Sequence, residues 1–229
     1  MSWEQTITDL KMLLTSKSND IKRSAICSLG KIAYQTNIPE EVVIEIANCL
    51  KGENKNINWE ADKTLKIICN TQGFTLADFQ KLIDLLEEIN AGDWSANLLG
   101  SAYHDTPEGE PPAIPAEIMN QLNQLILEYT SWACGNAVLS LGYMAMNNLT
   151  LTQAQIDAIS GILDSEQAIN PNTIASLKAL GKLDFRHPEP SEHTLQRLLE
   201  LTKDSDPLIQ KAASDTIGLI AERGKQTLP

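Results

Sequence analysis

The sequence offers few side chains that could do chemistry, and their spacing decides what they can be. His187-Pro-Glu-Pro-Ser-Glu-His193 puts two imidazoles and two carboxylates within one short stretch. These are the ligand types of a divalent-metal site, but such a site needs its ligands to converge on one point. Prolines separate the four groups, and His104 is the only other histidine. A polar turn accounts for this stretch, and no metal is expected. Three scattered histidines also leave no Ser-His-Asp or Cys-His machine to assemble. Cys27, Cys49, Cys69 and Cys134 form no C-x-x-C pair, and each sits in an apolar stretch. They read as buried free thiols of a reducing, cytoplasmic compartment. Glu40-Glu41 and Glu87-Glu88 are adjacent carboxylates. Neighbours on a helix point apart, so they form solvated faces rather than acid–base dyads. No phosphate-cradling glycine motif occurs. The sequence therefore assigns no catalytic residue, metal or cofactor.

Residues suited to binding are easier to find. Trp59, Trp94 and Trp132 stand where helices are expected to begin, and Tyr103, His104 and Tyr129 fall in turns or helix ends nearby. Tryptophan and tyrosine are enriched in binding hot spots. Two roles fit them: contact with a partner, or filler between packed helices. The connector from Tyr103 to Ile114 carries three prolines and the acids Asp105, Glu108 and Glu110. It is either a binding loop or a solvated insertion.

Charge narrows the partner. The chain carries a formal net charge of −12, yet no Lys or Arg occurs between Lys81 and Lys178. Residues 82–177 hold twelve acids: Asp84, Glu87, Glu88, Asp93, Asp105, Glu108, Glu110, Glu117, Glu128, Asp157, Asp164 and Glu166. The flanks hold equal numbers of acids and bases, so the net charge comes from this middle. A surface without cations repels phosphate backbones, which argues against nucleic acid. It attracts a partner protein with a basic surface or segment. Met1 to Leu14 includes Glu4, Asp9 and Lys11, so no signal peptide is expected there. No run of apolar residues is long enough to span a membrane.

The elements that would position these residues show up as a repeat. Leu29-Gly30, Leu99-Gly100, Leu141-Gly142, Leu180-Gly181 and Ile217-Gly218 line up, with Leu65-Lys66 in the sixth place. Successive steps of 36, 34, 42, 39 and 37 residues suit two helices and two turns. Around each dipeptide runs one helical stripe: Ile21, Ala25, Leu29 and Ile32 in the first, Ile209, Ala213, Ile217 and Ile220 in the last. Ser95 and Ser176 take the small position in the third and fifth. Glycine inside a helix costs roughly 1 kcal/mol against alanine. Five at one repeat position imply close approach of a neighbouring helix, and the small residue four positions earlier serves the same end. First helices are expected over 3–15, 39–51, 75–90, 115–129, 152–165 and 190–203. Pro39, Pro115 and Pro190 precede first helices, and Pro171 and Pro207 mark second ones. Thr75-x-x-Asp78, Thr152-x-x-Gln155 and Asp206 read as caps.

Asp206-Pro-Leu-Ile-Gln-Lys-Ala-Ala213 with Ile217-Gly218 resembles the second-helix signature of HEAT repeats in their bacterial form. Asn19-Asp-Ile-Lys-Arg-Ser-Ala25 with Leu29-Gly30 resembles it as well. The resemblance implies an all-α fold, an α-α superhelix (HEAT/ARM-like solenoid) of about six helical hairpins. It would form a single domain over 1–229, with repeats at about 1–36, 37–72, 73–106, 113–148, 150–185 and 188–225. The family often carries an Asp–Arg ladder between turns. Here Gln210, Trp59 and Asn172 stand near positions where a base is common. Function is expected to be non-catalytic: a protein-protein interaction scaffold or adaptor in the cytoplasm. Its contact residues would be Trp59, Trp94, Tyr103, His104, Asp105, Glu108, Glu110, Tyr129 and Trp132. Chains of this kind also resemble phycobilin lyase subunits, which handle a tetrapyrrole or its apoprotein. The central segment offers no base to grip a propionate. One DNA glycosylase family uses similar repeats but needs a cationic groove, which the acidic middle does not provide.

Overall fold

The computed structural model describes residues 2–103, 114–184 and 186–226. His104, Asp105, Glu108 and Glu110 of the expected contact set lie outside these residues. Every regular element described is helical: α1 (Trp3–Leu13), α2 (Asn19–Ile32), α3 (Glu40–Asn48), α4 (Lys55–Gln72), α5 (Leu76–Asp84), α6 (Gly92–Ala102), α7 (Ala116–Leu125), α8 (Trp132–Met146), α9 (Gln153–Asp164), α10 (Asn170–Lys182), α11 (Glu192–Leu201) and α12 (Pro207–Gln226). A 3₁₀ turn extends α3 over Cys49–Lys51 and α5 over Leu85–Glu87. Each expected first helix is present, a few residues shorter at its ends. The helices pair in sequence as six hairpins, in two compact units, Met1–Ala102 and Tyr103–Pro229. In each unit the second helices lie side by side: α4 packs on α2 and α6, and α10 on α8 and α12. First helices form the other layer, with α3 against α5 and α9 against α11.

Local chemistry explains where helices start. Thr75 with Asp78, and Thr152 with Gln155, close reciprocal capping boxes. Asp206 Oδ1 accepts the Leu208 N–H at 2.8 Å as Pro207 opens α12. Pro39 and Pro115 stand immediately before α3 and α7.

The repeat leucines Leu29, Leu65, Leu99, Leu141 and Leu180 are fully buried. Ile21 departs from the expected stripe: it is 47% exposed, whereas Ile57 and Ile209 are buried.

Gly30, Gly142 and Gly181 mark close approach as expected, whereas a Cβ on Gly218 would meet nothing within 4 Å. A Cβ on Gly30 would lie 2.9 Å from Thr64 Oγ1, and one on Gly142 would lie 3.1 Å from Ala179 Cα. Gly181 faces Leu219 and Thr216 in the same way. Thr64, Ala179 and Thr216 each sit immediately before the repeat hydrophobe of the next hairpin. Thr64 Oγ1 donates to the Ile26 carbonyl (3.2 Å) and Thr216 Oγ1 to that of Leu177 (2.8 Å), one register used in both units. The small residue four positions earlier works differently. Ser95 Oγ donates to Leu82 O and Ser176 Oγ to Ile159 O, both at 2.5 Å, so it faces the first helix of its own hairpin.

Candidate interaction surfaces

Folding sorts the charges by layer. The six first helices hold twelve acids and three bases. Without Lys225, the second helices hold six acids and ten bases. Counting along the chain hides this, because the two kinds of helix alternate. The acids of the cation-free middle follow the rule: of those described, only Asp93 belongs to a second helix. In the first unit Asp84, Glu87 and Asp93 are exposed, and in the second unit Glu117, Glu128, Asp157, Asp164 and Glu166 are exposed. Bases from outside the segment neutralise part of this charge. Lys51 pairs with Glu88 at 2.5 Å, and Arg197 and His193 approach Asp164 at 3.8 and 3.6 Å.

The second-helix layer of the first unit has the opposite character. Arg23, Cys27 and Lys31 follow one another at one-turn intervals on α2, and Trp59, Lys63 and Ile67 occupy the matching positions on α4. Between the two helices lies an open depression of about 390 Å³, lined by Asp20, Arg23, Ser24, Cys27, Lys31 and Glu60. Arg23 Nε approaches Glu60 Oε2 at 3.6 Å, and Glu60 is buried. Lys66 donates to Asp62 (2.9 Å) and to Asn97 on α6 (2.6 Å), which ties α4 to its other neighbour. Burial raises the Asp62 carboxyl above its ordinary range, against the pull of Lys66.

The aromatic residues take different places. Trp59 is 52% exposed on α4 with the Lys63 ammonium 5.3 Å from its ring centroid, so it is not a filler between repeats. Trp132 opens α8 and is 49% exposed, while Trp94, on the first turn of α6, is half-buried. Tyr103 follows α6 and is also half-buried. Tyr129 is built into the frame: its carbonyl accepts from Asn172, and its hydroxyl sits 3.4 Å from where a Gly161 Cβ would be.

Asn172 replaces the base of the familiar turn ladder. Its amide donates to the Tyr129 and Ser131 carbonyls, both at 2.8 Å, and accepts the Gly135 N–H at 3.1 Å. One neutral buried side chain thus joins α10 to the turn ahead of α8. Gln210 instead bonds within its own hairpin, to Asp204 O. At the other end of these helices, Arg186 donates to Asp184, Asn148 and the Ala145 carbonyl. Its bond holds the Asp184 carboxyl down at about 2, against the effect of burial. His187 Nε2 donates to Leu149 O at 2.9 Å, which leaves Nδ1 to accept the Asp184 N–H at 3.2 Å. His187 is therefore a turn fastener, while His193 stands exposed on α11. Among the described residues no three His, Cys, Asp or Glu side chains gather around one point. All four cysteines are free, but only Cys134 is buried; Cys27, Cys49 and Cys69 are half-buried, against the expectation of four buried thiols. Burial pushes Cys49 and Cys69 up to about 11 and Cys134 to about 12, so these three thiols stay protonated at neutral pH.

No protein-family model matches the sequence, and no curated protein matches it. Solved structures do match. Importin beta, crystallised in an ammonium sulfate condition, is 17% identical over 96% of this chain and 29% of its own length, with a TM-score of 0.65. The archaeal HEAT-like repeats protein from Thermococcus onnurineus NA1 is 16% identical over 96% of this chain and 88% of its own, with a TM-score of 0.51. With twelve helices and no strand among the described residues, the chain has a HEAT/armadillo-like α-solenoid fold. No described helix is long and apolar enough to cross a membrane.

Proposed function

We propose that this HEAT-like solenoid is a non-catalytic cytoplasmic scaffold that binds a partner protein with a basic surface or segment. One observation carries the reading: Asp84, Glu87, Asp93, Glu117, Glu128, Asp157 and Glu166 are exposed and form no ion pair among the described residues. Acids held unneutralised, all but Asp93 on first helices and turns, accelerate encounter with a basic partner and disfavour an acidic one. Trp94, beside Asp93, and Trp132, four residues after Glu128, are the aromatic anchors of this reading. Tyr103, His104, Asp105, Glu108 and Glu110 complete the proposed contact set on the ground of sequence alone. Trp59 is set apart, because it stands among bases. Four free thiols suit a reducing compartment.

The test is affinity capture from the native host followed by charge reversal of Glu117, Glu128 and Asp157 to lysine. These exposed positions tolerate the change, so folding is preserved. Exposed charge pairs are worth up to about 1 kcal/mol each, so the triple reversal should weaken binding at least about tenfold. Captured binding should also fall with added salt. An affinity unchanged by the reversal, or binding that does not fall with salt, rejects the reading.

A further inference from the structure

We propose that the second-helix face of the first unit is a separate docking site, for an acidic segment of a partner protein. This goes beyond the acidic surface described above and stands on different residues. Lys31 and Lys63 form no ion pair among the described residues, and Lys63 lies over the exposed ring of Trp59. Glu60 engages the Arg23 Nε edge from a buried position, and Arg23 itself is half exposed. Of these groups, Arg23, Lys31 and Glu60 line the depression of about 390 Å³. Arg23 and Lys31 are two helical turns apart, about 12 Å along α2. An extended segment covers that span in about four residues, so carboxylates at every fourth position would reach both. Trp59 supplies an apolar platform beside them, and aromatic–Arg surfaces of this kind concentrate binding energy. Asp20 and Glu60 line the same depression. They would repel a continuous phosphate backbone, whereas a peptide can set its own N–H groups or basic side chains against them. The chemistry therefore selects a polypeptide over a nucleic acid.

The full chain is titrated at low salt with a fluorescein-labelled peptide of Glu-Leu-Asp-Ser repeats. Parallel arms use its lysine counterpart and a single-stranded oligonucleotide. The acidic peptide should bind, and Lys31→Glu with Lys63→Glu should weaken it at least about tenfold. Trp59→Ala should weaken it too. Glu117→Lys with Asp157→Lys should leave it unchanged, which separates this site from the acidic surface. Both lysines are exposed, and helical circular dichroism confirms that each variant folds. No binding of the acidic peptide, binding indifferent to the lysine reversal, or tighter binding of the oligonucleotide overturns the proposal.

Discussion

Gly142 and Gly218 occupy the same repeat position, yet alanine should act oppositely at the two. A methyl on Gly142 would meet the Ala179 Cα and Cβ at 3.1 Å, and backbone cannot swing aside. Gly142→Ala should destabilise the fold by about 1–3 kcal/mol through overpacking, despite alanine's better helix propensity. Nothing lies within 4 Å of a Cβ on Gly218, so Gly218→Ala should stabilise by about 1 kcal/mol. Urea denaturation midpoints measure both. The glycines were legible in sequence because a helix rarely tolerates them without cause. Their partners Thr64, Ala179 and Thr216 were not, because they are ordinary helix residues until packing register is known.

Between elements, the decisive join in the second unit is neutral. Asn172→Ala would leave the Tyr129 and Ser131 carbonyls and the Gly135 N–H without their side-chain partner. A loss of about 2–4 kcal/mol is expected, since buried polar groups without partners are costly. Asn172→Asp should also destabilise, because a carboxylate cannot donate to two carbonyls. Thermal unfolding of both variants checks this. The sequence marked Asn172 only as a place where a base is common. Its value lies in donating twice and accepting once, which no count of charges reveals. Helix order and caps were readable because Thr75, Thr152 and Asp206 act locally. The charge layering depends on which helices lie side by side, so it emerges only once the hairpins are assembled.

For the molecule as a whole, the repeat period predicts one domain across all six hairpins, while the described residues cluster into Met1–Ala102 and Tyr103–Pro229. Repeat arrays hold together through nearest-neighbour interfaces, so one continuous array should unfold in one step if those interfaces are comparable. A single calorimetric transition, coincident with loss of helical dichroism, is the expected outcome. Two separated transitions would instead make the two clusters independent folding units. The open surface over Gly218 also gives protein engineers a grafting rule. A hairpin appended beyond α12 should dock when alanine, serine or threonine immediately precedes its central leucine. A tryptophan at that place would hold the graft off, so the array can be lengthened by choice of one residue.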